Sequence, residues 1–202
     1  MSITSVINLQ QFCGREWPRP WLGKPFRFGN ESIATNGHIL VKVPARDGDA
    51  PPDKAPKTLD GYLTKIFERA PDLTYSPAPP VTLPPEEAPK VVECDDCDGR
   101  GYDHDCPECT CTCDACAGSG KQIVEEKVST NFCGGLFRLD YVRQVVSLPD
   151  LKLAVGSSDF NKSVPLLFKF DGGEGALMPL RNKYETHVEV ENGVIAKAKA
   201  SA

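Results

Sequence analysis

The stretch from Cys94 to Gly120, CDDCDGRGYDHDCPECTCTCDACAGSG, holds seven of the nine cysteines of the chain. Two C-x-x-C pairs, Cys94/Cys97 and Cys113/Cys116, are separated by fifteen residues, a spacing that reads as a tetrahedral zinc site. Each pair is followed by x-G-x-G. A thiolate pair gripping one ion must turn sharply behind its second cysteine so that backbone amides face the sulfurs, and Gly99, Gly101, Gly118 and Gly120 fit that need. Between the pairs, His104, Cys106, Cys109 and Cys111 offer four further groups that would close a second, inner site, so the segment allows one zinc ion or two. The plainer alternatives are a solvated imidazole for His104 and a spare thiol for Cys111. A disulfide framework is a third alternative, but the opening MSITSVINLQ carries no basic and apolar signal segment, so a reducing cytosol is expected. A thioredoxin-type redox pair would need a strand and a helix around it.

The repeats CDDCDGRG and CDACAGSG resemble the cysteine-rich zinc region of the DnaJ family of co-chaperones, over about thirty residues. The middle pair, CPEC, lacks the family's glycines, and Cys111 stands in a C-x-C-x-C run. No His-Pro-Asp tripeptide occurs, so co-chaperone activity is not implied. What the resemblance implies is the fold of a zinc module whose surface contacts another macromolecule.

The composition of the whole chain, 40% hydrophobic and 25% charged, is that of an ordinary soluble protein. A net charge of -5 argues against coating nucleic acid by bulk charge, since phosphate binding needs a concentrated basic face. No apolar run approaches the roughly twenty residues needed to span a bilayer. Prolines divide the sequence: Pro44 to Pro56 reads as a polar loop, and Pro71 to Pro89 as a stiff extended connector that cannot form a helix or a central strand.

Either side of the cysteine-rich insertion the periodicity is clear. Phe26 to Gly29, Ser32 to Thr35 and His38 to Val43 predict an antiparallel meander split by Gly-Asn and Asn-Gly turns. Ile7 to Phe12 predicts a short helix. In Thr58 to Ala70, Leu63, Ile66, Phe67 and Ala70 share one helical face, with Thr58 or Asp60 as cap and Pro71 as stop. Val128 to Cys133 predicts a strand, Leu139 to Ser147 a helix, and LKLAVG, PLLFKF and GALMPLR three strands. Tyr184 to Glu191 alternates as a half-exposed strand, with His187 on its solvent face, and Asn192-Gly193 turns it into Val194–Lys197. The expected fold is α+β: antiparallel sheets with two packed helices, plus the inserted zinc module. The expected division is residues 1–70, a proline-rich linker 71–93, the module 94–121, a second half 122–183, and a hairpin and tail 184–202.

The order strand, helix, three strands resembles a domain of the bacterial DNA polymerase sliding clamp, the β subunit, built from two β-α-β-β-β halves. Ala34-Thr35-Asn36-Gly37-His38 is close to that family's A-T-D-G-H turn, and Ala176-Leu177-Met178-Pro179-Leu180-Arg181 to its closing M-P-L-R strand. The resemblance implies a single clamp-like domain associated with DNA or a replication protein, as a homo-oligomer or as a mimic of the clamp, in a bacterial or phage-infected cytoplasm. Basic helices line the family's ring, so Lys57, Lys65 and Arg69 beside the first helix, and Arg138 and Arg143 beside the second, are candidate DNA contacts; a solvated, ion-paired helix face is the plainer reading.

No P-loop, G-x-S-x-G, H-E-x-x-H or dinucleotide fingerprint occurs, and no small-molecule substrate is expected. Cys13 and Cys133 read as buried apolar residues, not nucleophiles. The expected function is a non-enzymatic replication or repair accessory with a zinc arm. The alternative is a zinc-finger adaptor or chaperone-like protein-binding module on an α+β scaffold.

Overall fold

The structure, a computed structural model, describes residues 7–14, 19–52, 58–68, 73–86, 88–102, 111–124, 126–155, 164–191 and 194–197. The chain divides into two compact units: Met1–Leu83 with Val128–Ala202, and Pro84–Lys127. Among the described residues there are two α-helices and mostly antiparallel sheets, so the α+β expectation is met.

The first unit opens with a single 3-10 turn, Leu9–Phe12, whose Leu9 and Phe12 are buried. Then comes the expected meander: β1 (Phe26–Phe28), β2 (Glu31–Thr35) and β3 (Ile39–Pro44). The β2–β3 turn is knitted by side chains. Asn36 Oδ1 accepts from the amides of His38 and Ile39, and Thr35 Oγ1 accepts from Gly37 and donates to the Ile39 carbonyl, while Gly37 takes a φ of +91°. Helix α1 (Leu59–Phe67) follows, with Thr58 at its N-cap, though no side-chain cap forms.

The segment expected as a connector contributes β4 (Thr74–Pro77), an edge strand whose last residue is a proline. Prolines are tolerated at such an edge because one side of the strand needs no donors. Ala78, Val81 and Leu83 then pack against the core. In the second unit lie β5 (Lys90–Glu93) and β6 (Lys121–Val124). Back in the first unit, β7 (Val128–Phe132) and β8 (Gly135–Arg138) form a hairpin. Its two-residue turn, Cys133-Gly134, has both residues at positive φ, the conformation that suits the strand twist. Cys133 is exposed there, which corrects the expectation of a buried thiol; Cys13 is half-buried against the core.

Helix α2 (Leu139–Val146) leads to β9 (Lys152–Val155), β10 (Leu166–Phe170) and β11 (Gly173–Leu177), a second meander. The chain leaves β11 after Leu177; Met178 N still donates to the His38 carbonyl and Leu180 N to the Leu136 carbonyl, but Pro179 to Arg181 are not strand. The chain closes with β12 (Thr186–Glu191) and β13 (Val194–Lys197), paired antiparallel from Glu191↔Val194. The Asn192-Gly193 turn lies outside the described residues.

Two sheets result. Seven strands run in the order β1-β2-β3-β11-β10-β9-β4, and four in the order β13-β12-β7-β8. The two meanders join through their last strands, β3 and β11, which run antiparallel with Ile39 opposite Leu177. Successive side chains of a strand point to opposite faces, so β3 is divided between two cores. Ile39, Val41 and Val43 pack with Leu166, Phe168, Val142 and Val145 of the α2 side, together with Phe132 and Phe137 of the second sheet. Leu40 faces the other way, onto Phe26, Ile33, Leu59 and Leu63 of α1. Further along, Ile66 and Phe67 reach Leu167 and Ala176. The helices therefore cover opposite faces of the seven-stranded sheet.

Two polar features are built into this frame. Lys42 is held between Glu31 (3.0 Å) and Glu174 (2.8 Å), above the Phe67 ring at 4.4 Å. His187, expected on a solvent face, is instead enclosed with its side chain 10% exposed. Its strand runs parallel to β7, which places His187 opposite Ser129 and brings Nδ1 to 3.0 Å from the buried Ser129 Oγ.

Gly175 marks the tightest packing in the sheet. A Cβ there would lie 2.3 Å from Phe168 Cζ and 2.4 Å from the Leu40 carbonyl oxygen. Gly175→Ala should lower unfolding free energy by about 1–3 kcal/mol in urea titrations, the usual cost of overpacking. Gly61→Ala, on α1 with no atom near the added methyl, should instead stabilise by about 0.5–1 kcal/mol.

Candidate metal centre

In the second unit, β5 and β6 pair antiparallel, with Glu93 opposite Lys121. The strands hand the chain directly to Cys94 at one end and receive it from Gly120 at the other. Four cysteine sulfurs, those of Cys94, Cys97, Cys113 and Cys116, converge within 4.8 Å of one another, and all four residues are buried. Cys94 Sγ lies 3.8 Å from Cys113 Sγ, and Cys97 Sγ lies 3.8 Å from Cys116 Sγ. These residues are free thiols, far beyond disulfide length. A regular tetrahedron of metal–sulfur bonds of ~2.3 Å has edges of about 3.8 Å, so the cluster is the size that one such ion requires.

The two knuckles are copies of each other, nineteen residues apart. In each, the first cysteine's carbonyl accepts from the amide of the first glycine: Gly99 N to the Cys94 carbonyl at 3.1 Å, Gly118 N to the Cys113 carbonyl at 3.3 Å. In each, the last glycine's amide points at the second sulfur: Gly101 N to Cys97 Sγ at 3.2 Å, Gly120 N to Cys116 Sγ at 3.3 Å. Such donors stabilise thiolate charge and orient the ligand. The knuckles also lock reciprocally. Cys94 N donates to the Gly120 carbonyl (2.9 Å) and Cys113 N to the Gly101 carbonyl (3.0 Å).

The second glycine of each repeat is required by close approach as well as by dihedral. A Cβ on Gly101 would stand 2.4 Å from the Gly118 oxygen, and one on Gly120 would stand 2.2 Å from the Gly99 oxygen. Gln122, on β6, adds a donor that sequence reading did not single out: its Nε2 lies 3.2 Å from Cys94 Sγ. Only the fold reveals it, because Gln122 stands twenty-eight residues from its partner.

Without an ion, Cys94 and Cys116 are pulled in opposite directions. Burial pushes Cys94 up to about 12. Burial also opposes ionisation of Cys116, but the Gly120 and Gly118 amides and the Cys113 and Cys97 thiols outweigh it and bring Cys116 down to about 7. A metal must therefore displace protons from this site, and its affinity falls as pH falls.

Of the residues expected to form an inner site, His104, Cys106 and Cys109 lie outside the described residues, and Cys111 is exposed and is not one of the four converging sulfurs. An isolated antiparallel bridge pairs Tyr102 with Thr112.

Of the candidate DNA contacts, Lys57 and Arg69 also lie outside the described residues. Lys65 is exposed on α1. Arg138 is half-buried, bonded to Asp140 Oδ2 at 2.7 Å and stacked over Tyr141 at 5.1 Å. Arg143 is half-buried on α2. Since α1 and α2 cover opposite faces of the sheet, Lys65 does not share a surface with Arg138 and Arg143.

Fold and site together define an α+β protein with an inserted unit whose four converging thiols could hold a metal ion. Comparison with protein-family models, curated proteins and solved structures returned no match. Among the described residues, no helix is long and apolar enough to cross a membrane.

Gly101→Ala should weaken metal retention in a competitive chelator titration by about a hundredfold, since both the φ of +82° and the contact with Gly118 forbid a side chain. In the unaltered protein, apparent affinity should fall by at least about tenfold per pH unit between pH 8 and pH 6, one proton or more being returned per ion lost.

Proposed function

We propose that this protein is a non-enzymatic, zinc-stabilised adaptor: the α+β unit is a platform, and the four-cysteine unit is an arm that binds another protein. The observation that carries this reading is the closed ligand set. Four buried sulfurs fill a tetrahedral shell and leave no open position for water or substrate, which is how structural zinc sites differ from catalytic ones. An all-thiolate tetrahedron also suits zinc over harder ions, which prefer oxygen ligands. Burial pushes the Cys13 and Cys133 thiols up to about 11, which disfavours their thiolates.

A second reading has its own support. The two sequence segments that resemble the sliding clamp meet at the middle of the seven-stranded sheet, where Ile39 pairs with Leu177 and Met178 N donates to the His38 carbonyl. Three antiparallel strands lie on each side of that junction before β4 is added, as expected of two repeated halves. On this reading the platform engages DNA or the replication machinery of a bacterial or phage-infected cell. A ring lined by both helices is not favoured, because the helices face opposite ways.

Native mass spectrometry of protein purified without chelators should find one zinc per chain bound at the four cysteines, and Cys94→Ser with Cys97→Ser should remove it. In affinity capture from cell extract, that double variant should lose partners that Arg138→Glu with Arg143→Glu retains. The opposite pattern, with salt-sensitive DNA binding abolished by the arginine reversals, would favour the clamp-like reading.

A further inference from the structure

Charge is unevenly divided between the two units. Between residues 84 and 127 there are twelve Asp or Glu and four Lys or Arg, a formal charge of -8; with -5 for the whole chain, the remainder carries +3. A divalent ion held by four thiolates adds roughly -2 to the arm. Asp95, Asp96, Asp98 and Asp114, on the knuckles, are all exposed.

The same unit exposes apolar surface. Of five large hydrophobic residues exposed among the described ones, four belong to it: Val91, Val92, Tyr102 and Ile123. Val91 and Ile123 are 62% and 70% exposed, and they are direct cross-strand partners, so their side chains stand together on one face of the β5–β6 ribbon. The opposite face carries Val92 and the Gln122 that reaches the Cys94 sulfur. Two-stranded ribbons leave each strand one edge whose backbone groups can pair with an added strand.

Resting on the adaptor reading, we propose that the Val91/Ile123 face and adjoining edge of the ribbon take up a basic, apolar segment of another protein in extended conformation. The apolar pair supplies burial, the ribbon edge supplies main-chain hydrogen bonds, and the acidic knuckles select positive charge. The same acidity repels phosphate, so the arm is not a nucleic-acid-binding element.

The test uses zinc-loaded full-length protein and three fluorescein-labelled probes: a ten-residue peptide alternating Lys and Val, its Glu and Val counterpart, and a single-stranded DNA of twenty nucleotides. Anisotropy should show the Lys–Val peptide bound, more weakly as salt is raised, with the other two bound at least about tenfold more weakly. Val91→Ser with Ile123→Ser should cost about tenfold or more in Lys–Val affinity while zinc content stays unchanged. Affinity unchanged in that variant, or preference for the Glu–Val peptide or for DNA, would overturn the inference. If the Lys–Val peptide fails to bind while cysteine-dependent partner capture persists, the inference falls and the adaptor reading stands; if both fail, both fall.

Discussion

The second unit depends on a single constraint: four sulfurs stand where a hydrophobic core would otherwise be. Its buried cluster among the described residues consists of Cys94, Cys97, Cys113 and Cys116, whereas Val91, Val92 and Ile123 point to solvent. About forty residues with no larger core cannot offset the conformational entropy of folding by burial alone. An ion held by the four sulfurs would supply that free energy, because its binding would be the folding free energy of the unit. Glycines that let the knuckles touch, amides aimed at Cys97 and Cys116, and the ribbon that holds the two ends together are parts of one device.

The first unit is built on the opposite principle. Its central strand β3 is buried on both faces, and the β3–β11 pairing joins two meanders into one sheet. Aliphatic and aromatic side chains on alternate positions supply two cores, one beneath each helix. Such a platform needs no metal. A unit with little burial of its own thus stands between Leu83 and Val128 of a chain that also folds a conventional sheet.

Much of this was legible in the sequence, and the failures have physical causes. The four converging cysteines were readable because C-x-x-C spacing suits both thiols of a knuckle to one ion. The meander and both helices were readable because their apolar residues repeat at periods of two or of about 3.6. Strand β8 was missed because its hairpin turn places Cys133, not glycine, in the left-handed region at the first position. β4 and β5 were hidden by flanking prolines, whose edge positions cost nothing there. The enclosure of His187 was invisible because alternation within Tyr184–Glu191 reports only local periodicity. The parallel partner that covers it, β7, lies 58 residues away.

The most direct test is hydrogen–deuterium exchange of the full chain with and without a zinc chelator. The account predicts that amides of Gly101, Gly120, Cys94 and Cys113 lose protection when the metal is removed, while those of β3 and β11 keep theirs. Protection of the knuckles that survives complete metal removal would show that the unit folds by other means, and would contradict the claim that the thiol-bound ion is its core.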